Sequence, residues 1–177
     1  MLVGLMGSGK TTVGRRVAAR LDRPFVDADD ALEATAGRTI AEIFEADGED
    51  ACRDLEEQVL EELLARPEPH VIASGGGVVL RPSNRARLLE PGVTVVWLDA
   101  APAFVASRIE QKPHRPLLRG AEPPRRVLER IHAERESLYR EVADVVVDVA
   151  PFHSHEERPK DALADRVVAL VREREAS

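Results

Sequence analysis

The stretch Gly4-Leu5-Met6-Gly7-Ser8-Gly9-Lys10-Thr11 decides the fold, because it satisfies the phosphate-loop pattern G-x-x-x-x-G-K-[ST]. In this pattern, glycines let backbone N–H groups close around phosphate oxygens, which also face the positive N-terminus of the next helix. An apolar run, Met1–Gly4, precedes the loop, and an amphipathic segment, Lys10–Leu21, follows it. A chance glycine-rich turn is the alternative, but the strand–loop–helix context favours phosphate binding. The predicted nucleotide contacts are Gly7, Ser8, Gly9, Lys10, Thr11 and Thr12.

Outward from the loop, short runs rich in Val, Ile and Leu alternate with helix-like segments. The candidate strands are Met1–Gly4, Pro24–Asp27, His70–Ser74, Val93–Leu98 and Val145–Val149. The candidate helices are Lys10–Leu21, Asp50–Ala65, Pro123–Val142 and Pro159–Glu175. Strands this apolar are typical of parallel sheets that are covered on both faces. The sequence therefore predicts an α/β fold, with a parallel sheet between two layers of helices.

Two stretches interrupt the alternation. Asp29–Gly48 contains short helical fragments and glycines, and Lys112–Pro124 is dense in Pro, Arg and Gly. The second is predicted to be a mobile surface loop of the kind that covers an active site. Because no repeat or linker divides the chain, we expect a single domain, 1–177.

Composition excludes several classes of protein. The chain has 177 residues and a net charge of −7, which argues against nonspecific nucleic-acid binding. No apolar run is long enough to span a membrane. The single cysteine, Cys52, excludes an internal disulfide and fits a reducing cytosol. The N-terminal stretch lacks the basic region of a signal peptide, so we expect a cytoplasmic protein. The first strand is short, and a truncated start is left open.

Two further groups of residues follow candidate strands. Asp27 and Asp29 end the second strand, where a spacing of two would direct both carboxylates the same way. The alternative is that Asp29 or Asp30 caps the next helix. Gly75, Gly76 and Gly77 follow the third strand and would permit close approach of a ligand, the alternative being a flexible turn. Ligands of parallel α/β sheets bind at these strand ends.

In combination, the motifs resemble the shikimate kinase family. The matching segments, in order, are GLMGSGKTTVGR (4–15), FVDADDALE (25–33), GRTIAEIFEADGEDACRDLE (37–56), SGGGVV (74–79), HRPLL (114–118) and LYREVAD (138–144). They span nearly the whole chain, although the tail after Val149 contributes little. The resemblance implies a three-layer P-loop fold with a five-stranded parallel sheet, an acceptor-binding segment (about 29–65) and a lid (112–124). It further implies a monomer that phosphorylates the 3-hydroxyl of shikimate with ATP and Mg²⁺, in aromatic amino-acid biosynthesis.

The resemblance also implies roles for individual residues. On the nucleotide side, Lys10 would contact the β- and γ-phosphates, Thr11 would coordinate Mg²⁺, and Asp27 would reach that ion through water. Arg115 would meet phosphate from the lid, and Arg108 would lie over the adenine ring. On the acceptor side, Asp29 would bind the ring hydroxyls, and Arg53 and Arg140 would hold the substrate carboxylate. The same pocket would be lined by Gly75, Gly76 and Gly77. The catalytic residues would be Lys10, Asp29 and Arg115.

Simpler interpretations exist for most of these charges. Arg53 could form an ion pair with Glu56 or Glu57 on its own helix, and Arg140 could be an ordinary charge near a helix C-terminus. Arg115 could be a solvated charge. The other arginines of the candidate helix Pro123–Val142, which contains Arg140, are expected on the solvated surface: Arg125, Arg126, Arg130 and Arg135. Cys52 is expected to be a buried packing residue, and His153 and His155 to lie in an exposed loop.

Two alternative functions remain open from the sequence. Another small-molecule kinase of this fold, such as a gluconate kinase, would share the phosphate loop. A nucleotide-dependent switch module would bind nucleotide without any small-molecule acceptor. The paired aspartates, the three glycines and the arginines favour a compact cyclic acid as the acceptor.

Overall fold

The computed structural model describes residues 1–109, 122–155 and 158–176. Five parallel strands form one sheet in the order β2-β3-β1-β4-β5. They are β1 (Leu2–Val3), β2 (Phe25–Asp27), β3 (Val71–Ala73), β4 (Val96–Asp99) and β5 (Val145–Asp148). The five predicted strands are therefore present, each shorter than its apolar run, and the predicted parallel α/β architecture is confirmed.

Helices cover both faces of this sheet. In chain order they are α1 (Lys10–Leu21), α2 (Ala28–Ala36), α3 (Ile40–Leu64), α4 (Pro82–Leu88), α5 (Pro102–Ile109), α6 (Pro124–Val142), α7 (Ala150–His155) and α8 (Pro159–Glu175). Three of the four predicted helices match α1, α6 and α8 to within a residue. The fourth, Asp50–Ala65, is only part of α3, which begins ten residues earlier and is interrupted at Gly48 (φ 86°, ψ 177°). Glycine tolerates that left-handed φ, which permits the kink.

Strand alternation sorts the core into two layers, because successive side chains point to opposite faces. Leu2 and Leu98 pack with α1 and α8 on one face. Val3 and Trp97 pack with α4 and α6 on the other. A third apolar cluster, which includes Leu32, Ile43 and Cys52, joins α2 to α3 beside β3. Cys52 is 3% exposed, and burial raises the pKa of its thiol, so its predicted packing role agrees with the structure.

This topology brings four connections to one edge of the sheet. β1 leads into the phosphate loop, β2 into α2, β3 into the glycine turn, and β4 into α5. Since all strands are parallel, these carboxyl ends lie along a common edge, where ligands of such sheets bind. Among the helices of the described ranges, none combines the length and the apolar character that crossing a membrane requires.

Candidate active site

The phosphate loop has the backbone geometry that its glycines permit. Gly4, Gly7 and Gly9 have φ values of 139°, 81° and 102°. A Cβ on Gly4 would lie 2.6 Å from the Leu98 carbonyl oxygen, so only glycine fits between the loop and β4. Gly9 is the N-cap residue of α1 and, as a glycine, has no side chain with which to cap that helix. The first backbone N–H groups of α1 are therefore available to an anion.

Lys10 and Thr11 lie at the start of α1 beside this loop. The buried Lys10 ammonium donates hydrogen bonds to the carbonyl oxygens of Gly4 (2.8 Å) and Leu5 (2.9 Å), which hold it against the loop. The Thr11 hydroxyl donates to Asp27 Oδ2 over 2.7 Å. A hydroxyl and a carboxylate in contact at the end of a phosphate loop are oxygen donors of the kind Mg²⁺ prefers. The two residues fit a divalent cation.

The spacing predicted that Asp27 and Asp29 leave one strand in the same direction, and this prediction is wrong. β2 ends at Asp27, and Asp29 lies in the first turn of α2. The Asp27 carboxylate caps α2 by accepting the Asp29 backbone N–H over 3.1 Å. The proposed cap by Asp29 or Asp30 is likewise wrong. Because α2 begins directly after Asp27, the Asp27 carboxylate contacts Thr11, whereas Asp29 lines a cavity beside the phosphate loop.

Arg53 lies on α3 and faces the same cavity. Its guanidinium forms ion pairs with Glu56 (2.8 Å) and Glu49 (3.0 Å), and its side chain is only 11% exposed. Of the two predicted partners, Glu56 is confirmed, whereas Glu57 pairs with Arg81 at 2.8 Å. Arg53 is enclosed and contacts a ligand-sized cavity. Its ion pairs therefore differ from an ordinary ion pair on a solvated surface.

The turn Gly75–Gly77 packs tightly against these charged side chains. A Cβ on Gly77 would lie 2.0 Å from Arg53 Nη1. A Cβ on Gly75 would lie 2.5 Å from Glu56 Oε1 and 2.8 Å from Asp29 Oδ1. Any larger residue would displace the guanidinium or the carboxylates. The turn is therefore a close-packed wall of the cavity, and the flexible-turn alternative does not describe it.

The placement of Arg140 contradicts its predicted acceptor-binding role. Its side chain is 62% exposed, pairs with Glu136 at 3.1 Å, and lies 5.3 Å from the Trp97 ring centroid. It is absent from the described residues that line the cavity. The reason is helical geometry, because Arg140 directly follows the buried Tyr139 and is rotated by about 100° from it. The simpler interpretation, a helix-surface charge near a C-terminus, describes Arg140 correctly.

Arg135, which was expected on the solvated surface, is buried instead. It is 5% exposed, lines the cavity, and donates from Nη1 to the Gly76 carbonyl oxygen over 2.9 Å. Its Nε has no hydrogen-bond partner among the described residues. The sequence contained a signal for this placement, because Ile131, Arg135 and Tyr139 are spaced by four and share one helix face.

Tyr139 contacts the same backbone carbonyl as Arg135. Its hydroxyl also donates to the Gly76 carbonyl oxygen, and its ring stacks on Trp97 with centroids 5.7 Å apart. Burial raises the pKa of Tyr139 to about 12, so the phenol stays protonated and remains a donor. Two donors on one carbonyl fix the glycine turn relative to α6.

The remaining predicted residues lie at the other end of the site or outside the described ranges. Arg108 lines the cavity from α5, together with His153 and Lys160. His153 was expected in an exposed loop but lies in α7. Its imidazole ring packs against Phe104, with 4.9 Å between the ring centroids. Arg115, His114 and most of the proposed lid fall in 110–121, outside the described residues. No cluster of three or more metal-binding His, Cys, Asp or Glu occurs in the described ranges.

One cavity of about 1120 Å³ joins these parts. It is lined by the phosphate loop in the middle, by Asp29, Arg53 and the Gly75–Gly77 turn at one end, and by Arg108 at the other. From the predicted site it includes Gly7, Ser8, Gly9, Lys10, Thr11, Thr12, Asp29, Arg53, Gly75, Gly76, Gly77 and Arg108. Asp27 is not among these lining residues, but its carboxylate accepts a hydrogen bond from Thr11, which is.

Comparison with known proteins gives a consistent result. The sequence matches the family model described as shikimate kinase over residues 6–171. A shikimate kinase of Ralstonia nicotianae is 53% identical over 146 residues, covering 82% of this chain and 75% of the relative. The solved shikimate kinase of Acinetobacter baumannii, in complex with shikimate, superposes with a TM-score of 0.89 at 36% identity, covering 99% of this chain and 93% of that one.

A gluconokinase from Sinorhizobium meliloti is much less similar. It superposes with a TM-score of 0.52 at 23% identity, covering 98% of this chain and 95% of that chain. That likeness reflects the shared fold alone. The family match over residues 6–171 and the relative at 53% identity lead to one assignment: this chain belongs to the shikimate kinase family.

Proposed function

We propose that the protein transfers the γ-phosphoryl group of ATP to the 3-hydroxyl of shikimate, giving shikimate 3-phosphate and ADP for aromatic amino-acid biosynthesis. The observation that supports this most strongly is a phosphate loop, a carboxylate (Asp29) and two enclosed guanidinium groups (Arg53 and Arg135) around one cavity. Those groups match a nucleotide phosphate, a hydroxyl and a carboxylate, respectively.

On the nucleotide side, the loop backbone and Lys10 would hold the β- and γ-phosphates. Lys10 would exchange its hydrogen bonds to the Gly4 and Leu5 carbonyl oxygens for bonds to phosphate oxygens. Mg²⁺, when bound, neutralises charge on the β- and γ-phosphates. We propose that Thr11 coordinates the ion directly and that Asp27 accepts from one of its waters, since the two side chains are already in contact.

On the acceptor side, Arg53 and Arg135 would bind the carboxylate of the substrate. The ion pairs with Glu49 and Glu56 hold the Arg53 guanidinium at the cavity wall. Arg135 has a buried Nε without a partner among the described residues, which a carboxylate oxygen would satisfy. In this proposal, Arg135 takes the role that the family resemblance implied for Arg140. The Acinetobacter baumannii relative, solved with shikimate, is consistent with this choice of acceptor.

Asp29 would align the hydroxyl that attacks. The hydroxyl oxygen forms a bond to the γ-phosphorus while the bond from that phosphorus to the β–γ bridging oxygen breaks, and ADP leaves. The hydroxyl proton passes to Asp29 late, because the transition state is loose and needs positioning more than a strong base. Lys10 would stabilise charge on the transferring group. The role of Arg115 and of the lid (112–124) remains a prediction from the resemblance.

A coupled assay of ADP release tests this function. MgATP is supplied with shikimate, with gluconate or with no acceptor. We expect release that depends on shikimate. Release of ADP with gluconate alone would show that shikimate is not the acceptor. Nucleotide binding without acceptor-dependent ADP release would favour a switch module.

The variant Asp29→Asn tests the role of the carboxylate in the same assay. It should bind MgATP with nearly unchanged affinity and lose transfer, because the amide is isosteric but cannot take the proton. Wild-type turnover in this variant would remove Asp29 from the proposed mechanism.

A further inference from the structure

The strand order separates the two ends of the cavity. Asp29 follows β2 and Gly75 follows β3, on one side of the central phosphate loop. Arg108 lies on α5 after β4, and His153 lies on α7 after β5, on the opposite side. If the acceptor binds beside β2 and β3, as proposed above, the nucleotide must extend its base toward Arg108 and His153. The inference below rests on that proposed function.

Arg108 and His153 form a contact pair at this end. Arg108 Nη1 and His153 Nε2 are 3.0 Å apart. Phe104 lies beneath both, with its ring centroid 4.9 Å from the imidazole and 5.1 Å from Arg108 Cζ. The His153 imidazole and the Arg108 guanidinium therefore both pack against the Phe104 ring, and both residues line the cavity.

The contact defines the protonation state of the histidine. A guanidinium has only N–H donors, so the 3.0 Å contact is a hydrogen bond only if His153 Nε2 is the acceptor. The imidazole must then be neutral, with its proton on Nδ1. Protonation at Nε2 would place two donors and two positive charges face to face, and the guanidinium would leave this position.

The surroundings of His153 favour the neutral form. Burial lowers its pKa, and the positive charges of Arg108 on α5 and Lys160 on α8 lower it further. These are the charged groups that act on His153 within the described residues. Because the pKa lies below its ordinary value of 6.5, the ring is neutral at and above pH 7 and becomes charged only in more acidic solution.

We propose that neutral His153 is a positioning residue, which holds Arg108 against the base of the bound nucleotide and makes nucleotide affinity fall when the imidazole is protonated. The substitution His153→Gln would preserve an acceptor near the same position, and the amide could not titrate. The substitution His153→Leu would remove the acceptor altogether. The two substitutions therefore separate the hydrogen bond from the charge.

The experiment is calorimetric titration of the full chain with MgADP from about pH 5 to about pH 8. We expect wild-type affinity to be constant above about pH 7 and to fall about two- to tenfold on acidification, the range of one hydrogen bond. His153→Gln should match wild type at neutral pH and lose less affinity in acid. His153→Leu should bind about two- to tenfold more weakly at neutral pH. Titration of ADP itself is common to all variants and cancels in their ratios.

Two controls complete the design. His132→Gln, at a histidine near Asp99 and Glu136, should keep the wild-type pH profile. In an Arg108→Leu background, His153→Leu should have no further effect, because its partner is gone. Identical pH profiles for wild type and His153→Gln would overturn the proposal, as would wild-type affinity at neutral pH in His153→Leu. Failure of shikimate-dependent ADP release at neutral pH would instead count against the proposed function, so the two failures are distinguishable.

Discussion

At the scale of single residues, two arginines of α6 have opposite surroundings although only five positions separate them. Arg135 is 5% exposed and bonded to the glycine turn, whereas Arg140 is 62% exposed and paired with Glu136. A buried guanidinium gains more from a carboxylate partner than a solvated one, because water competes with the second and not with the first.

Matched substitutions of these arginines test the acceptor site. Arg135→Met should raise the KM for shikimate about tenfold to a hundredfold, the loss expected for a hydrogen bond to a charged group. Arg140→Met should change it less than about twofold, since exposed ion pairs contribute little. The measurement is steady-state kinetics at saturating MgATP, with thermal unfolding to verify folding. A larger effect at Arg140 would reverse the assignment.

Residue types in a motif are easier to predict than orientations. The phosphate-loop residues surround the cavity as expected, because their chemistry is fixed by contiguous backbone geometry. The sequence misleads on the orientation of Asp29, because β2 does not continue past Asp27, and on that of Arg140, because its neighbour Tyr139 faces the core. The four-residue spacing from Ile131 to Arg135 to Tyr139 is informative, but a charged residue on an apolar face is usually assigned to the surface.

At the scale of elements, the start of α3 is fixed by a capping box. The Thr39 hydroxyl accepts the Glu42 backbone N–H over 3.2 Å, and the Glu42 carboxylate accepts the Thr39 backbone N–H over 2.8 Å. α3 provides Arg53 and contacts α2, so this cap fixes the start of the helix that lines this end of the cavity.

Thr39→Ala should therefore destabilise the protein by about 1 kcal/mol, as the loss of an N-cap typically does. For a chain of this length, that corresponds to a Tm lower by about 2–4 °C. Ser137→Ala, at an exposed position inside α6, should change the free energy of unfolding by less than about 0.5 kcal/mol. Equal Tm values for Thr39→Ala and wild type, measured by circular dichroism, would contradict the role of the cap.

Element prediction succeeds where a pattern is long. The buried strands follow from their Val and Ile runs, and α1, α6 and α8 from helical periodicity. The helices α4, α5 and α7 are missed, because they contain only six to eight residues and are too short for periodicity to emerge. Gly48 suggests an end of a helix, and α3 is indeed kinked there, with residues on both sides of the kink packed in the cluster that includes α2.

At the scale of the whole molecule, α8 closes the sheet face that α1 covers. Leu163, Val167 and Val171 are buried in that core cluster. Ion pairs join the two helices at their surface, with Arg16 and Arg20 both contacting Asp161. The segment after Val149 contributes little to the sequence resemblance, yet it completes the core. Motif comparison does not detect this contribution, because apolar packing tolerates many sequences.

Substitutions of two leucines test the contribution of α8. Leu163→Ala, at a side chain 1% exposed, should lower the free energy of unfolding by about 2–5 kcal/mol. Leu89→Ala removes the same atoms from a side chain 56% exposed and should cost less than about 0.5 kcal/mol. Urea denaturation gives both values. Similar midpoints for the two variants would show that α8 is not part of the cooperative core.

The central claim is that the whole cavity catalyses one defined phosphoryl transfer. Its most direct test is identification of the product by NMR after incubation of the protein with MgATP and shikimate. We expect a single phosphate ester, with phosphorus coupled to the ring proton at carbon 3, formed in equal amount with ADP. Formation of ADP and inorganic phosphate without an ester, or of an ester at another hydroxyl, would contradict the claim.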